Sequence, residues 1–259
     1  VTPIQLRTDT ESNAVPQRKP WYVFVSLFFL AIVLLAQPHI KAASAEVGSL
    51  QDAPVTCLVG LPTSSVPEGG WPVFVLLHGY GTNKEDFDAL VDEINRHDFV
   101  AVSVDAPQVL GPGRRQWGRS IEETHEYLQE QISFLSKDDR FDTRRIHLGG
   151  FSQGGIRSLL LVAHYPEAYG GSFSLSPAGG ALPDAPKRGT GSHPLFLVYG
   201  TAENSGILNS ATVAKEFWAE WKQPLQTRTH PGGHHFPSDW ATVTEEAVEW
   251  IVRSSKTTE

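Results

Sequence analysis

The sequence predicts an α/β fold in which a mostly parallel sheet is covered by helices on both faces. Two observations carry this reading. Short β-branched or aromatic runs at 73–77, 99–104, 145–148, 171–175 and 194–199 have strand length, and most are near-continuously apolar, as strands buried on both faces are. Amphipathic segments separate them, and parallel neighbours need crossover connections whose helices then cover the sheet.

The helices can be placed in turn. Phe87, Leu90, Val91 and Ile94 form one helical stripe, with Thr82 and Glu85 spaced as a capping box ahead of it. Ile121, His125, Leu128, Ile132 and Leu135 form a second, opened by Ser120 and Glu123. Further helices are expected at 154–163, 210–221 and 238–252. No internal repeat and no Ser/Pro-rich linker interrupts this alternation, so 46–259 reads as one domain.

Composition narrows the function. Of 259 residues, 40% are hydrophobic and 19% charged, which excludes a globally disordered chain. One cysteine forms neither an intramolecular disulfide nor a four-cysteine zinc site. A formal charge of -8 leaves no broad basic surface, which argues against nucleic acid as a partner.

Residues 1–45 read as a signal peptide or an N-terminal membrane anchor. Arg7, Arg18 and Lys19 precede sixteen uncharged residues at 21–36, and Ala43-Ser44-Ala45 supplies the small-x-small pattern for cleavage after Ala45. Contact with a membrane is expected only through this segment, if it stays uncleaved. Either way the remainder is expected outside the cytoplasm, periplasmic or extracellular. Without the charged residues of 1–45, 17 basic and 27 acidic side chains remain, a formal charge of -10. Val1 fits an alternative start codon and hence a bacterial source. Cys57, preceded by Pro54-Val55-Thr56, reads as a small buried thiol.

The strongest chemical signal is Gly150-Phe151-Ser152-Gln153-Gly154, a G-x-S-x-G pattern with a strand before it and a helix after it. A serine on so tight a turn has strained backbone angles and needs small neighbours, which Gly150, Gly154 and Gly155 provide. His78-Gly79-Tyr80-Gly81 follows the 73–77 strand, and a glycine-containing loop there can bring backbone N–H groups up to a developing oxyanion. Tyr80 and Gln153 N–H are the candidates, with His78 structural.

Gly232-Gly233-His234-His235-Phe236-Pro237 is a glycine-flanked histidine pair ahead of the last helix. His234, directly after the glycines, is the preferred base. A metal site from His230, His234 and His235 is the competing reading, although no acidic or cysteine ligand lies close by in sequence. Among the acids between Ser152 and His234, only Glu203 lies just after a predicted strand, at the sheet's active edge. Its competitor reading is a surface loop carboxylate. Trp117, in the Gly/Pro-rich stretch 107–118, is the candidate substrate-binding residue, against the alternative that it fills core beneath the loop.

With these motifs placed, the order Ser, Glu, His resembles the α/β-hydrolase superfamily. The HGYG and GFSQGG stretches look like the phospholipase/carboxylesterase group, which includes acyl-protein thioesterases. The GGHHFP stretch looks more like polyhydroxybutyrate-depolymerase-type and feruloyl-type esterases, where tryptophan is usual at the position of Phe236. The similarity spans about 50–253. One departure stands out: those families usually place aspartate followed by Val-Pro after the late strand, whereas here Glu203 precedes Asn204-Ser205-Gly206.

The resemblance implies an α/β-hydrolase fold and hydrolysis of an ester or thioester. No insertion of lid length separates the expected strands, which points to little or no lid and to small or extended substrates. The motifs themselves point to a Ser152–His234–Glu203 triad without metal or cofactor. The alternative is an exported binding protein of the same fold whose acid position has decayed.

Overall fold

The computed structural model describes residues 53–118, 120–183 and 191–255. The expected signal or anchor segment at 1–45 lies outside the described residues. Nine strands are described: β1 (Cys57–Gly60), β2 (Trp71–Leu77), β3 (Val100–Val104), β4 (Gln108–Gly111), β5 (Arg114–Gln116), β6 (Phe141–Phe151), β7 (Ser172–Leu175), β8 (Leu195–Gly200) and β9 (Leu225–His230). Seven of them build one sheet in the order β1-β3-β2-β6-β7-β8-β9. Every pairing from β3 to β9 is parallel, and only β1 runs antiparallel, against β3.

Five α-helices accompany the sheet: α1 (Asp88–Asn95), α2 (Ile121–Ile132), α3 (Gln153–His164), α4 (Ser205–Trp221) and α5 (Trp240–Ser255). Strand residues alternate between the two faces, which explains why apolar runs are continuous. Val73, Val75 and Leu77 pack with α2, α3 and α4 on one side, through Leu128, Leu159 and Trp218. Phe74 and Leu76 pack on the other with Leu90 and Ile94 of α1 and Val248 and Ile251 of α5. A mostly parallel sheet covered on both faces is what the periodicity predicted, and it fits the fold that the resemblance implied.

Three local expectations change. The first helix is entered through a 3-10 turn, Lys84–Phe87, and its capping box is formed by Asn83 and Asp86, one residue after the expected Thr82 and Glu85. Thr82 is drawn away because it forms a β-bridge with Arg115 and its hydroxyl bonds Gly79 O at 3.1 Å. The 107–118 stretch, expected as a loop, contains the β4–β5 hairpin, turned at Pro112-Gly113. Gly113, with φ 64°, takes the left-handed angle the turn requires. Strand β1 was not anticipated at all. Among the described residues, no helix is long and apolar enough to cross a membrane.

Candidate active site

Strand β6 ends at Phe151 and helix α3 begins at Gln153, so the chain reverses on Ser152 alone. Ser152 has φ 58° and ψ -118°, a backbone conformation disfavoured for a residue with a side chain. The surrounding packing holds it there. A Cβ on Gly154 would stand 1.7 Å from Leu77 O, and one on Gly155 2.6 Å from Leu175 O, so only glycine fits at either position. Ser152 N–H donates to Leu175 O at 2.9 Å, and Ser152 O accepts from Ile156 and Ala178 N–H, each at 3.0 Å.

The acid and histidine loops leave adjacent strands and are stitched together. Thr201 N–H donates to His230 O (2.9 Å) and Ala202 N–H to Gly232 O (2.7 Å). A Cβ on Gly200 would meet Gly232 O at 2.2 Å, so this close approach needs glycine. Asn204, just beyond Glu203, caps α4 by accepting from Gly206 and Ile207 N–H. The departure from the Val-Pro pattern therefore carries a helix start in place of a rigid turn.

These loops bring the three predicted side chains into line. The Ser152 hydroxyl donates to His234 Nε2 at 2.7 Å, and His234 Nδ1–H faces the Glu203 carboxylate at 3.3 Å to Oε1 and 3.2 Å to Oε2. Oε2 is nearer but poorly aligned and forms no hydrogen bond, so Oε1 is the acceptor. The Glu203 side chain is fully buried, whereas 35% of the His234 side chain is exposed. Glu203 is thus no surface carboxylate. A bond from Nδ1–H to the carboxylate leaves the Nε2 lone pair aimed at the serine.

Phe151, the first of the motif's two variable residues, went unread as a functional candidate. Its ring stacks on the His234 imidazole at 4.8 Å and 28°, and on Phe236 at 4.9 Å. Phe236 in turn meets Phe87 edge-on at 6.0 Å, tying the histidine loop to the entry of α1. His235 turns aside: its Nδ1–H donates to Phe236 O at 2.7 Å, and its ring lies 5.1 Å from that of His230. Among the described residues, no group of three or more His, Cys, Asp or Glu side chains is arranged to hold a metal ion.

Beside the serine lies the His78–Gly81 loop: a Cβ on Gly79 would be 3.5 Å from Ser152 Cβ. That neighbourhood holds the Tyr80 amide, and the Gln153 amide opens α3, whose first N–H groups have no intrahelical acceptor. His78 is fully buried, with Nδ1–H donating to Gly79 O at 2.7 Å and Nε2 accepting from Ala106 N–H at 2.9 Å. Burial pushes its pKa down, so it stays neutral and bridges the ends of β2 and β3.

The expectation for Trp117 needs correction. Its side chain is 1% exposed and belongs to the core, where its indole N–H donates to His78 O at 2.9 Å. It supports the loop from beneath and presents no face to a substrate. Backbone and side chain cooperate here, because the Gln153 carboxamide accepts from Trp117 N–H (3.0 Å) and donates to Trp117 O (3.2 Å). A tryptophan in a Gly/Pro-rich segment carries no local sign of which side it will face.

Comparison with known proteins agrees with this architecture. Over 154 residues the chain is 29% identical to the putative esterase NocK of Nocardia uniformis subsp. tsuyamanensis, and over 148 residues 27% identical to chlorophyllase-2 of Arabidopsis thaliana. These alignments take in 54% and 56% of this chain but only 42% and 45% of the relatives, so the chain spans less than half the length of each. The Bacillus cereus carboxylesterase shares the fold at TM-score 0.62 and 20% identity, over 76% of this chain and 93% of that one. Est1E of Butyrivibrio proteoclasticus, solved with ferulic acid bound, does so at TM-score 0.58 and 16% identity, over 76% and 94%. The sequence model of the alpha/beta hydrolase family matches residues 74–256, and the chain belongs to that family.

Proposed function

We propose that this protein is a carboxylic ester hydrolase that works through an acyl-enzyme on Ser152. The observation that carries the reading is the relay of Ser152 Oγ, His234 Nε2 and the buried Glu203 carboxylate, with 2.7 Å at its first link. His234 takes the hydroxyl proton as Ser152 Oγ attacks the ester carbonyl, then returns it to the departing alcohol. Glu203 holds the imidazole in the productive tautomer and stabilises the imidazolium. Tyr80 and Gln153 N–H groups receive the oxyanion. Water, activated by the same imidazole, then releases the acid. The relative named a putative esterase, the neighbour named a carboxylesterase and the ferulate-bound neighbour support an ester as the substrate. A thioester would follow the same course.

The uncharged run and Ala43-Ser44-Ala45 support export of the catalytic domain. N-terminal sequencing of the exported protein tests cleavage after Ala45.

The experiment for the activity is a panel of nitrophenyl esters of graded acyl length, turned over by wild type and by Ser152→Ala. Wild-type turnover that drops on the order of a million-fold in the variant supports the reading. An inert wild type would favour the binding-protein alternative, and an active Ser152→Ala would place the chemistry elsewhere.

A further inference from the structure

Two amides that receive one oxyanion must each stand about 3 Å from the same point, so the spacing between the elements that carry them enters the rate. Tyr80 sits on the loop after β2, and Gln153 opens α3. Contact fixes only how near these elements come: a Cβ on Gly154 would stand 1.7 Å from Leu77 O, so backbone already meets backbone there. A separate tie is needed to stop them from parting.

The chain from Arg115 to Trp117 provides it, because it bonds to both elements. On the loop side, Gly81 N–H donates to Arg115 O at 2.8 Å, Arg115 N–H to Thr82 O at 3.0 Å, and the Trp117 indole to His78 O at 2.9 Å. On the helix side, the Gln153 carboxamide accepts from Trp117 N–H at 3.0 Å and donates to Trp117 O at 3.2 Å. Arg157, a turn further along α3, adds a bond to Gly118 O, but Gln153 carries the tie and the oxyanion amide on one residue. The strap is itself anchored just beyond β3. There the Arg115 guanidinium donates to Ala106 O at 3.2 Å and pairs with the buried Asp105 carboxylate at 3.2 Å.

We propose that the Gln153 side chain is a positioning residue for ester hydrolysis: through Trp117 it holds the Gln153 and Tyr80 amides at the separation the oxyanion requires. This role rests on the Ser152 chemistry proposed above. The residue type fits it, because the N–H and C=O of one backbone residue demand an acceptor and a donor together. A carboxamide supplies both, whereas a carboxylate or an apolar side chain does not. Gln153 is only half-buried, so its side chain can be changed without opening the core.

Steady-state kinetics of the full chain on nitrophenyl acetate, with active sites counted by fluorophosphonate, compare wild type with Gln153→Met. That variant keeps the bulk and the backbone amide but neither bond to Trp117. Its kcat should fall about ten- to hundredfold, as for a donor misplaced and not removed, with KM little changed. The inhibition constant of an alkyl trifluoromethyl ketone, whose adduct on Ser152 carries an oxyanion, should rise by the same factor as kcat/KM falls. The pH midpoint of kcat/KM should stay at its wild-type position, because the His234–Ser152 bond is untouched. Gln153→Ala, which also lacks both bonds, decides if Gln153→Met fails to fold. A tie that only stabilises the fold would lower the melting temperature and leave kcat within about twofold of wild type, which overturns the proposal. So does a loss carried by KM at constant kcat, which makes Gln153 a substrate contact, or a shifted pH midpoint, which puts the fault in the His234 relay. An inert wild type overturns the ester-hydrolase reading as well, so the two failures are told apart.

Discussion

The Phe151 ring lies 4.8 Å from the His234 imidazole and 28° from parallel with it, so the residue before Ser152 packs against the histidine that meets the Ser152 hydroxyl. Replacing it should loosen the relay without removing any member. Phe151→Ala is expected to lower kcat about fivefold, from about 1 kcal/mol of lost ring contact, with KM little changed. Phe151→Leu, which keeps apolar bulk, should recover part of the loss. A large rise in KM at constant kcat would assign Phe151 to substrate contact instead.

Glu203 can be separated from an ordinary loop acid by its burial against His234 Nδ1. Glu203→Gln keeps the shape and removes the charge that stabilises the imidazolium. It should reduce kcat by ~10³ to 10⁴, measured under saturating ester. A surface carboxylate would change the rate less than twofold.

Trp117 is expected to act on stability and not on specificity. Trp117→Phe keeps most of the packing but strips His78 O of its donor, leaving a buried carbonyl short of a partner. A loss of roughly 1–3 kcal/mol in unfolding free energy should follow, with the order of preference among acyl chain lengths unchanged. A reordered preference at unchanged stability would restore it to the substrate pocket.

Acid should unfold the protein partly through His147. Its folded pKa is about 4 against an ordinary 6.5, because burial disfavours the imidazolium and Arg145 adds to that. Between those values the unfolded chain binds the proton and the folded one does not, so stability is lost as pH falls from about 6.5 to about 4. The full loss is about 3 kcal/mol. His78, His193 and His230 are displaced in the same direction by burial and add to it. Denaturant unfolding across this range should show a shallower pH dependence in His147→Phe than in wild type. Identical slopes would mean that His147 takes up its proton in the folded state as readily as in the unfolded one.

The central strands and the serine turn were legible because their constraints are local. A strand buried on both faces must be apolar throughout, and a serine turn jammed against Leu77 O must have glycine at 154. Where tertiary partners decide, the reading ran out. Strand β1 is a four-residue edge strand, only half-buried, with no distinctive pattern. The β4–β5 hairpin is short and largely exposed, paired to Thr82 through Arg115, and its Pro-Gly turn was its only local mark. Trp117 and Phe151 took their roles from contacts with His78 and His234, residues 39 and 83 positions away, which no window of sequence displays.

The central claim is that His234 activates Ser152, and covalent labelling reads it without knowledge of the natural substrate. The rate of modification by a fluorophosphonate, with the adduct mapped by mass spectrometry, should be compared among wild type, His234→Ala and His235→Ala. The account predicts an adduct on Ser152 in wild type, a rate close to wild type in His235→Ala, and near-complete loss in His234→Ala. An adduct elsewhere, or a His235→Ala enzyme that is silent while His234→Ala still labels, would contradict it.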